Sequence, residues 1–88
     1  MLKGKKVLIT GGTGSLGIAL TKRLLQENVD TIRIFSRNEN KQLEMDSKFH
    51  DDRLRFLLGD VRDYHRLTRA FEDIDIVFHA AALKHVPI

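Results

Sequence analysis

The sequence contains no cysteine. No disulfide can form, and no thiolate can ligate a metal. That fits a reducing compartment, and a cytoplasmic setting is expected. Long apolar runs are missing too. After Lys3, Lys5 and Lys6 comes only Val7-Leu8-Ile9, which is too short for the core of a signal peptide. No stretch approaches the roughly 20 apolar residues of a spanning helix, so no membrane segment is expected here. Repeats, linkers and low-complexity tracts are absent. So are blocks of one charge sign. The 15 Lys and Arg oppose 12 Asp and Glu, for a net charge of +3. The signs interleave, as in "DDRLRF" and "GDVRDYHRL", which describes a solvated surface rather than a nucleic-acid patch. The basic surplus still favours a phosphate-bearing ligand.

What is present suits one soluble domain. The 88 residues are 42% apolar and 31% charged, enough for a modest core. Residues 7–10 read as a buried strand. Leu16, Leu20 and Leu24, with Ala19 alongside, recur at helical spacing and predict a helix to about Gln26. "NVDT" is a turn, and Ile32, Ile34 and Phe35 form a second strand. Asn38 can cap a helix to about His50, with a weak apolar face of Leu43, Met45 and Phe49. A third strand covers residues 54–58 and is closed by Gly59. Asp63 can cap a short helix whose Leu67, Ala70 and Phe71 share a face. A fourth strand spans residues 74–78, and "HAAALKHVPI" leaves it as a loop. Alternating strands and helices predict an α/β fold, the N-terminal part of a Rossmann-like doubly wound parallel sheet. The expected strand order is 3-2-1-4. Near-continuous apolar strands suit a sheet covered on both faces.

The stretch "KVLITGGTGSLG" sets four glycines between the first strand and the first helix. Gly12, Gly14 and Gly17 spell G-x-G-x-x-G, and Gly11, Gly14 and Gly17 spell G-x-x-G-x-x-G. Either pattern is weak alone, but between a strand and a helix it is a dinucleotide signature. Glycines there permit a tight turn, let a pyrophosphate approach and let helix and strand pack. The helix N-terminus adds free N–H groups and a positive dipole end. The rival G-x-x-x-x-G-K-[ST] loop fails, because Ile18 and Ala19 follow Gly17.

About twenty residues past such glycines, an NAD-binding chain carries an acidic residue for the ribose 2′-hydroxyl. Here Ser36 and Arg37 hold that place, with Lys41 one helical turn on. A hydroxyl and two cations suit a 2′-phosphate, which favours NADP over NAD. The alternative is that Arg37 merely lies over the adenine face. Asp60, in "GDVRD", sits at a strand carboxyl end, where ligands bind in open α/β sheets. Its carboxylate could accept from an adenine amino group. His79 and His85 flank a loop without an acidic cluster, so packing or hydrogen-bonding roles are expected rather than metal ligation.

Taken together, "TGGTGSLG", "FSRNENKQ", "GDVRD" and "HAAALKHVP" resemble the extended short-chain dehydrogenase/reductase superfamily. Within it they are most similar to the inverting UDP-N-acetylglucosamine 4,6-dehydratases of surface-glycan synthesis, of the polysaccharide biosynthesis protein family. The resemblance covers essentially the whole chain. It implies NADP across the glycine turn, with Gly11, Thr13, Gly14, Ser15, Leu16 and Gly17 at the phosphates. Ser36, Arg37 and Lys41 are implied at the 2′-phosphate, and Asp60 and Val61 beside the adenine. Ala80, Ala81 and Ala82 are implied along the ribose and nicotinamide path, and Lys84 near the nicotinamide and sugar. The implied chemistry removes a hydride from sugar C4, eliminates water across C5 and C6, and returns the hydride at C6 with inversion at C5. The implied substrate is UDP-N-acetylglucosamine.

The superfamily's Tyr-x-x-x-Lys does not occur in these residues. The only tyrosine, Tyr64, has Thr68 four positions on. The family's Asp-Lys acid/base pair and its sugar-binding region lie downstream. The chain is therefore expected to be an amino-terminal part of an enzyme, itself inactive and holding no catalytic residue. The other readings are a nucleotide-sugar epimerase of the same superfamily, an NADP-sensing module without catalysis, and a folding unit without retained activity. An epimerase usually carries an acidic residue where Ser36 and Arg37 stand. With Ile76-Val77-Phe78 unguarded by Lys or Pro at a sheet margin, self-association through strand four is also expected.

Overall fold

The computed structural model describes residues 2–80. Seven elements alternate along them: β1 (Lys6–Thr10), α1 (Ser15–Leu24), β2 (Thr31–Ser36), α2 (Glu39–Phe49), β3 (Leu54–Leu58), α3 (Tyr64–Ala70) and β4 (Ile76–His79). The four strands form one parallel sheet in the order β3-β2-β1-β4, as the alternation predicted. Val7 pairs with Ile32 on one side and with Ile76 on the other, which makes β1 central.

The first three strands advance in one direction, so right-handed crossovers put α1 and α2 on the same face. That face holds the larger core: Val7, Ile9, Ile32, Ile34 and Leu54 of the sheet, against Leu24 and Met45 of the helices. The step from β3 to β4 passes back over β2 and β1, so α3 lies on the opposite face. There Leu8 and Phe35 meet Ala70, with Leu67 and Ile74 packed beside them. Each fully buried Val, Leu, Ile or Phe contributes about 1.5–3 kcal/mol.

Covering is uneven. The seven-residue α3 screens Leu8 and Phe35 but leaves Val77 37% exposed, and β3 is largely half-buried. The expectation of a sheet covered on both faces therefore holds for β1 and β2 and fails at the margins.

The caps are where the sequence places them. Asn38 Oδ1 accepts from the Lys41 amide at 3.0 Å, and Asp63 Oδ1 accepts from the Arg66 amide at 3.2 Å. His50 closes α2 in a left-handed conformation (φ 48°).

The helix faces differ from their apolar spacing. In α1 the buried residues are Gly17, Thr21 and Leu24, and Leu16 is exposed. Small residues face the sheet because the helix approaches closely there; Thr21 satisfies its hydroxyl on the Gly17 carbonyl at 2.8 Å. In α2 the buried residues are Gln42 and Met45, and Leu43 is 61% exposed. In α3, Phe71 becomes the exposed C-cap rather than a core residue.

Boundaries move as well: β1 starts one residue earlier than expected, and β4 takes in His79 from the expected loop. Past Leu24, tight turn bonds from the Gln26 and Glu27 amides replace the α-helix. Strand four starts at Ile76, not at residue 74, because Asp73 turns left-handed (φ 61°) and Ile74 packs under α3. Asp75 then exchanges bonds with Lys6, and pairing with β1 begins one residue later.

Candidate functional site

The carboxyl ends of β1, β2 and β3 open into one cleft of about 430 Å³. Its floor is the glycine turn. Gly11 takes a left-handed conformation (φ 68°), which glycine adopts without steric cost, and donates its amide to the Phe35 carbonyl at 2.8 Å. Gly14 donates to the Gly11 carbonyl at 3.2 Å and caps α1 with extended backbone. Gly12 and Gly17 are fixed by packing. A Cβ on Gly12 would stand 2.6 Å from Ile34 Cγ2, and one on Gly17 would stand 2.5 Å from Gly12 Cα. Both glycine registers are thus used: Gly11 for the turn, and Gly12 with Gly17 for the contact of helix and strand.

That contact aims the start of α1 at the cleft. The first amide bonded along the helix is that of Ile18, to the Gly14 carbonyl at 2.9 Å. The amides of Ser15, Leu16 and Gly17 precede it and have no partner one turn back. Both other helices carry a side-chain cap; α1 has none, and no acidic residue in its first turn. This end is left free for an anion, and its dipole favours one.

The cleft's outer wall is cationic. Arg37, Lys41 and Arg62 line it, against the single carboxylate of Asp60. Arg62 grips that carboxylate through Nη2 at 2.8 Å and Nε at 3.2 Å, and its amide donates to Oδ1 at 2.9 Å. Arg37 Nη1 stands 3.6 Å from Asp60 Oδ2, with its side chain 72% exposed. The Arg62 contacts, with Arg37 adding charge, hold the Asp60 carboxyl well below the usual carboxylate range. Asp60 is thus a fixed anion that orients Arg62 and still offers lone pairs to a ligand donor.

Ser36, at the end of β2, lines the same cleft yet is almost buried. Its hydroxyl accepts from Gln42 Nε2 at 2.9 Å. Among the described residues it makes no other hydrogen bond. An uncommitted hydroxyl donor, flanked by Arg37 and Lys41 and facing no acidic side chain but Asp60, fits a phosphate monoester better than a neutral hydroxyl pair.

Of the residues singled out in the sequence, the cleft gathers Gly11, Thr13, Gly14, Ser36, Arg37, Lys41, Asp60 and Val61. Ser15, Leu16 and Gly17 form the first turn of α1 beside it. Ala80 follows β4, with its methyl packed in the larger core and its amide on the Thr10 carbonyl at 2.9 Å. Ala81, Ala82, Lys84 and His85 lie outside the described residues. His79 takes a hydrogen-bonding role, with Nδ1 2.9 Å from Thr10 Oγ1.

Sequence reasoning missed Arg62, Phe35, Asn38 and Gly59 as lining residues. Arg62 was legible in "GDVRD", since an Asp followed two residues later by Arg can close an Asx turn with a charged grip. Gly59 is there because a Cβ would stand 2.5 Å from the Phe35 ring, which only the fold reveals.

Known proteins share this arrangement. A family profile described as polysaccharide biosynthesis protein matches residues 7–88. The inverting UDP-N-acetylglucosamine 4,6-dehydratase of Campylobacter jejuni is 53% identical over 89 residues, which is all of this chain and 27% of that protein. The UDP-glucose 4-epimerase of Rickettsia bellii is 47% identical over 91 residues, covering 99% of this chain and 27% of its own length. The crystal structure of Pen from Bacillus thuringiensis superposes with a TM-score of 0.89 at 46% identity, over 97% of this chain and 28% of that one. The chain thus spans about a quarter of the length of the curated relatives it matches. With its motifs and this profile in agreement, the chain belongs to the polysaccharide biosynthesis protein family.

Proposed function

We propose that this chain is the NADP-binding portion of a nucleotide-sugar 4,6-dehydratase that acts on UDP-N-acetylglucosamine with inversion at C5. One observation carries the cofactor half of this reading: a free serine hydroxyl and two cations, Ser36, Arg37 and Lys41, stand together at the end of β2. The identity to the Campylobacter enzyme supports the reaction half.

In this reading the amides of Ser15, Leu16 and Gly17 bind the pyrophosphate. Ser36, Arg37 and Lys41 bind the 2′-phosphate, and Asp60 accepts from the adenine amino group, beside Val61. Ala80, Ala81, Ala82 and Lys84 follow the ribose and nicotinamide. When bound, the nicotinamide supplies a reversible hydride acceptor. The acid and base that move protons on the sugar belong to residues outside this chain, because no Tyr-x-x-x-Lys occurs within it. The 88 residues alone are accordingly without turnover, and they self-associate through β4, the margin of the described sheet. The working compartment is the cytoplasm; among the described residues no helix is long and apolar enough to cross a membrane.

The test is product analysis with the full-length protein and UDP-N-acetylglucosamine. A 4-keto-6-deoxy sugar inverted at C5 is expected. The second reading, a nucleotide-sugar epimerase, has the Rickettsia relative in its favour. A product differing only at C4, with its 6-hydroxyl intact, would decide for it.

A further inference from the structure

Gln42 is a polar side chain in a place where α2 should bury an apolar one. It is 6% exposed, behind Ser36 and outside the cleft. Its Nε2 lies 3.2 Å from the Leu57 carbonyl and 2.9 Å from Ser36 Oγ. The carbonyl of Leu57 can only accept, so the group facing it must be the amino group of the amide. That settles the second contact too: the other proton of the same nitrogen goes to Ser36 Oγ. The serine hydroxyl is therefore an acceptor toward Gln42, and its own proton must leave in another direction. Ser36 lines the cleft, and among the described residues its hydroxyl makes no hydrogen bond but the one from Gln42. The proton is held available to the cleft.

We propose that Gln42 is a positioning residue that fixes the polarity of the Ser36 hydroxyl as a donor, and so selects a cofactor bearing a 2′-phosphate. The inference rests on the NADP reading given above and deepens it. Arg37 supplies charge from an exposed side chain that also faces Asp60, whereas Ser36 supplies a donor oriented by Gln42. A phosphate oxygen can only accept from it. A ribose 2′-hydroxyl can accept the same proton, but it carries no charge to strengthen the bond, so a hydroxyl held as a donor gains most from a phosphate.

The experiment uses the full-length protein and equilibrium binding of NADP and of NAD, without turnover. Wild type, Gln42→Met, Ser36→Ala and the double variant are compared. Gln42→Met keeps length and apolar packing and removes the amide. Wild type is expected to prefer NADP. Each single variant should lose about tenfold or more in NADP affinity, the scale of one hydrogen bond to a charged group, with NAD affinity little changed. The double variant should lose no more than either single one, because Gln42 acts through Ser36. If Gln42→Met does not fold, Gln42→Glu is the second probe. Its carboxylate accepts the serine proton, and the same loss of NADP preference is expected. A glutamine that only ties α2 to β3 would lower stability and leave the NADP-to-NAD ratio where it is. That unchanged ratio, or additive losses in the double variant, overturns the inference while the NADP reading stands. Equal affinities in the wild type overturn both.

Discussion

Gly17, in the first turn of α1, rests directly on the backbone of Gly12, with no room between them for a methyl group. Helix and strand are locked there at the distance that points the open end of α1 into the cleft. Gly17→Ala should therefore destabilise the protein, although alanine is the better helix former. Overpacking at such a contact costs about 1–3 kcal/mol, against about 1 kcal/mol gained in helix propensity. Urea unfolding should show a lower midpoint at unchanged slope. A midpoint at or above wild type would show that the helix can move away freely.

Arg37→Ala separates charge from the rest of the cleft. The expected effect is a loss of about 1.5–3 kcal/mol in NADP binding, as for a charged hydrogen bond. NAD binding should hardly change, since the 2′-phosphate is the only group it lacks. Calorimetric titration of the full-length protein with both cofactors makes the comparison. An equal loss for both would place Arg37 over the adenine instead.

Acid should weaken the fold through Asp51 and Asp60. Both carboxyls are held below their ordinary values, chiefly by the side chains of Arg53 and Arg62 respectively. The unfolded chain, with aspartate pKa of about 3.9, then binds protons before the folded chain does. Stability from these pairs is fully present above about pH 5 and is lost as pH falls through the unfolded value toward the folded ones. Unfolding free energy measured from pH 2 to 7 should rise through the acid range and level off. Arg62→Met should flatten the acid slope. An identical slope in that variant would remove Asp60 from the account.

Arg53 joins β3 to the end of α1. Its Nη1 donates to the Glu27 carbonyl at 2.9 Å and its Nη2 to the Leu25 carbonyl at 2.8 Å, while Asp51 fixes its orientation. Arg53→Met keeps most of the stem and should cost about 1–3 kcal/mol, by leaving those carbonyls without a charged donor. Hydrogen exchange should rise first at the end of α1. No change there would mean that water replaces the guanidinium fully.

Made by itself, the 88-residue polypeptide should self-associate. Val77 on β4 is 37% exposed, and the sheet margin it occupies can pair with another strand. Sedimentation across a concentration series should show dimers at the upper end. A folded species that stays monomeric throughout would rule out the β4 contact.

Much was fixed by local pattern alone. Alternating apolar strands and capped helices determined the parallel sheet, and right-handed crossovers left the order β3-β2-β1-β4 as the natural solution. Asn38 and Asp63 announced their helices because a cap is a contact of three residues' reach. The cluster of glycines before α1, and Ser36-Arg37 at the end of β2, placed the cleft, since ligands gather at strand carboxyl ends in such sheets. What the sequence left open depended on contacts between distant residues. Apolar spacing put Leu16 and Leu43 inside, yet the fold buries Gly17, Thr21 and Gln42 instead. A helix presents to the sheet the residues that let it come close or that satisfy a buried polar group, and those partners come from elsewhere in the chain. Gly17 needs Gly12 across a turn, and Gln42 needs Ser36 and the Leu57 carbonyl from two strands. Periodicity along one helix carries no information about either. Only the packed structure decides which small or polar residue is worth burying, because only there do its neighbours exist.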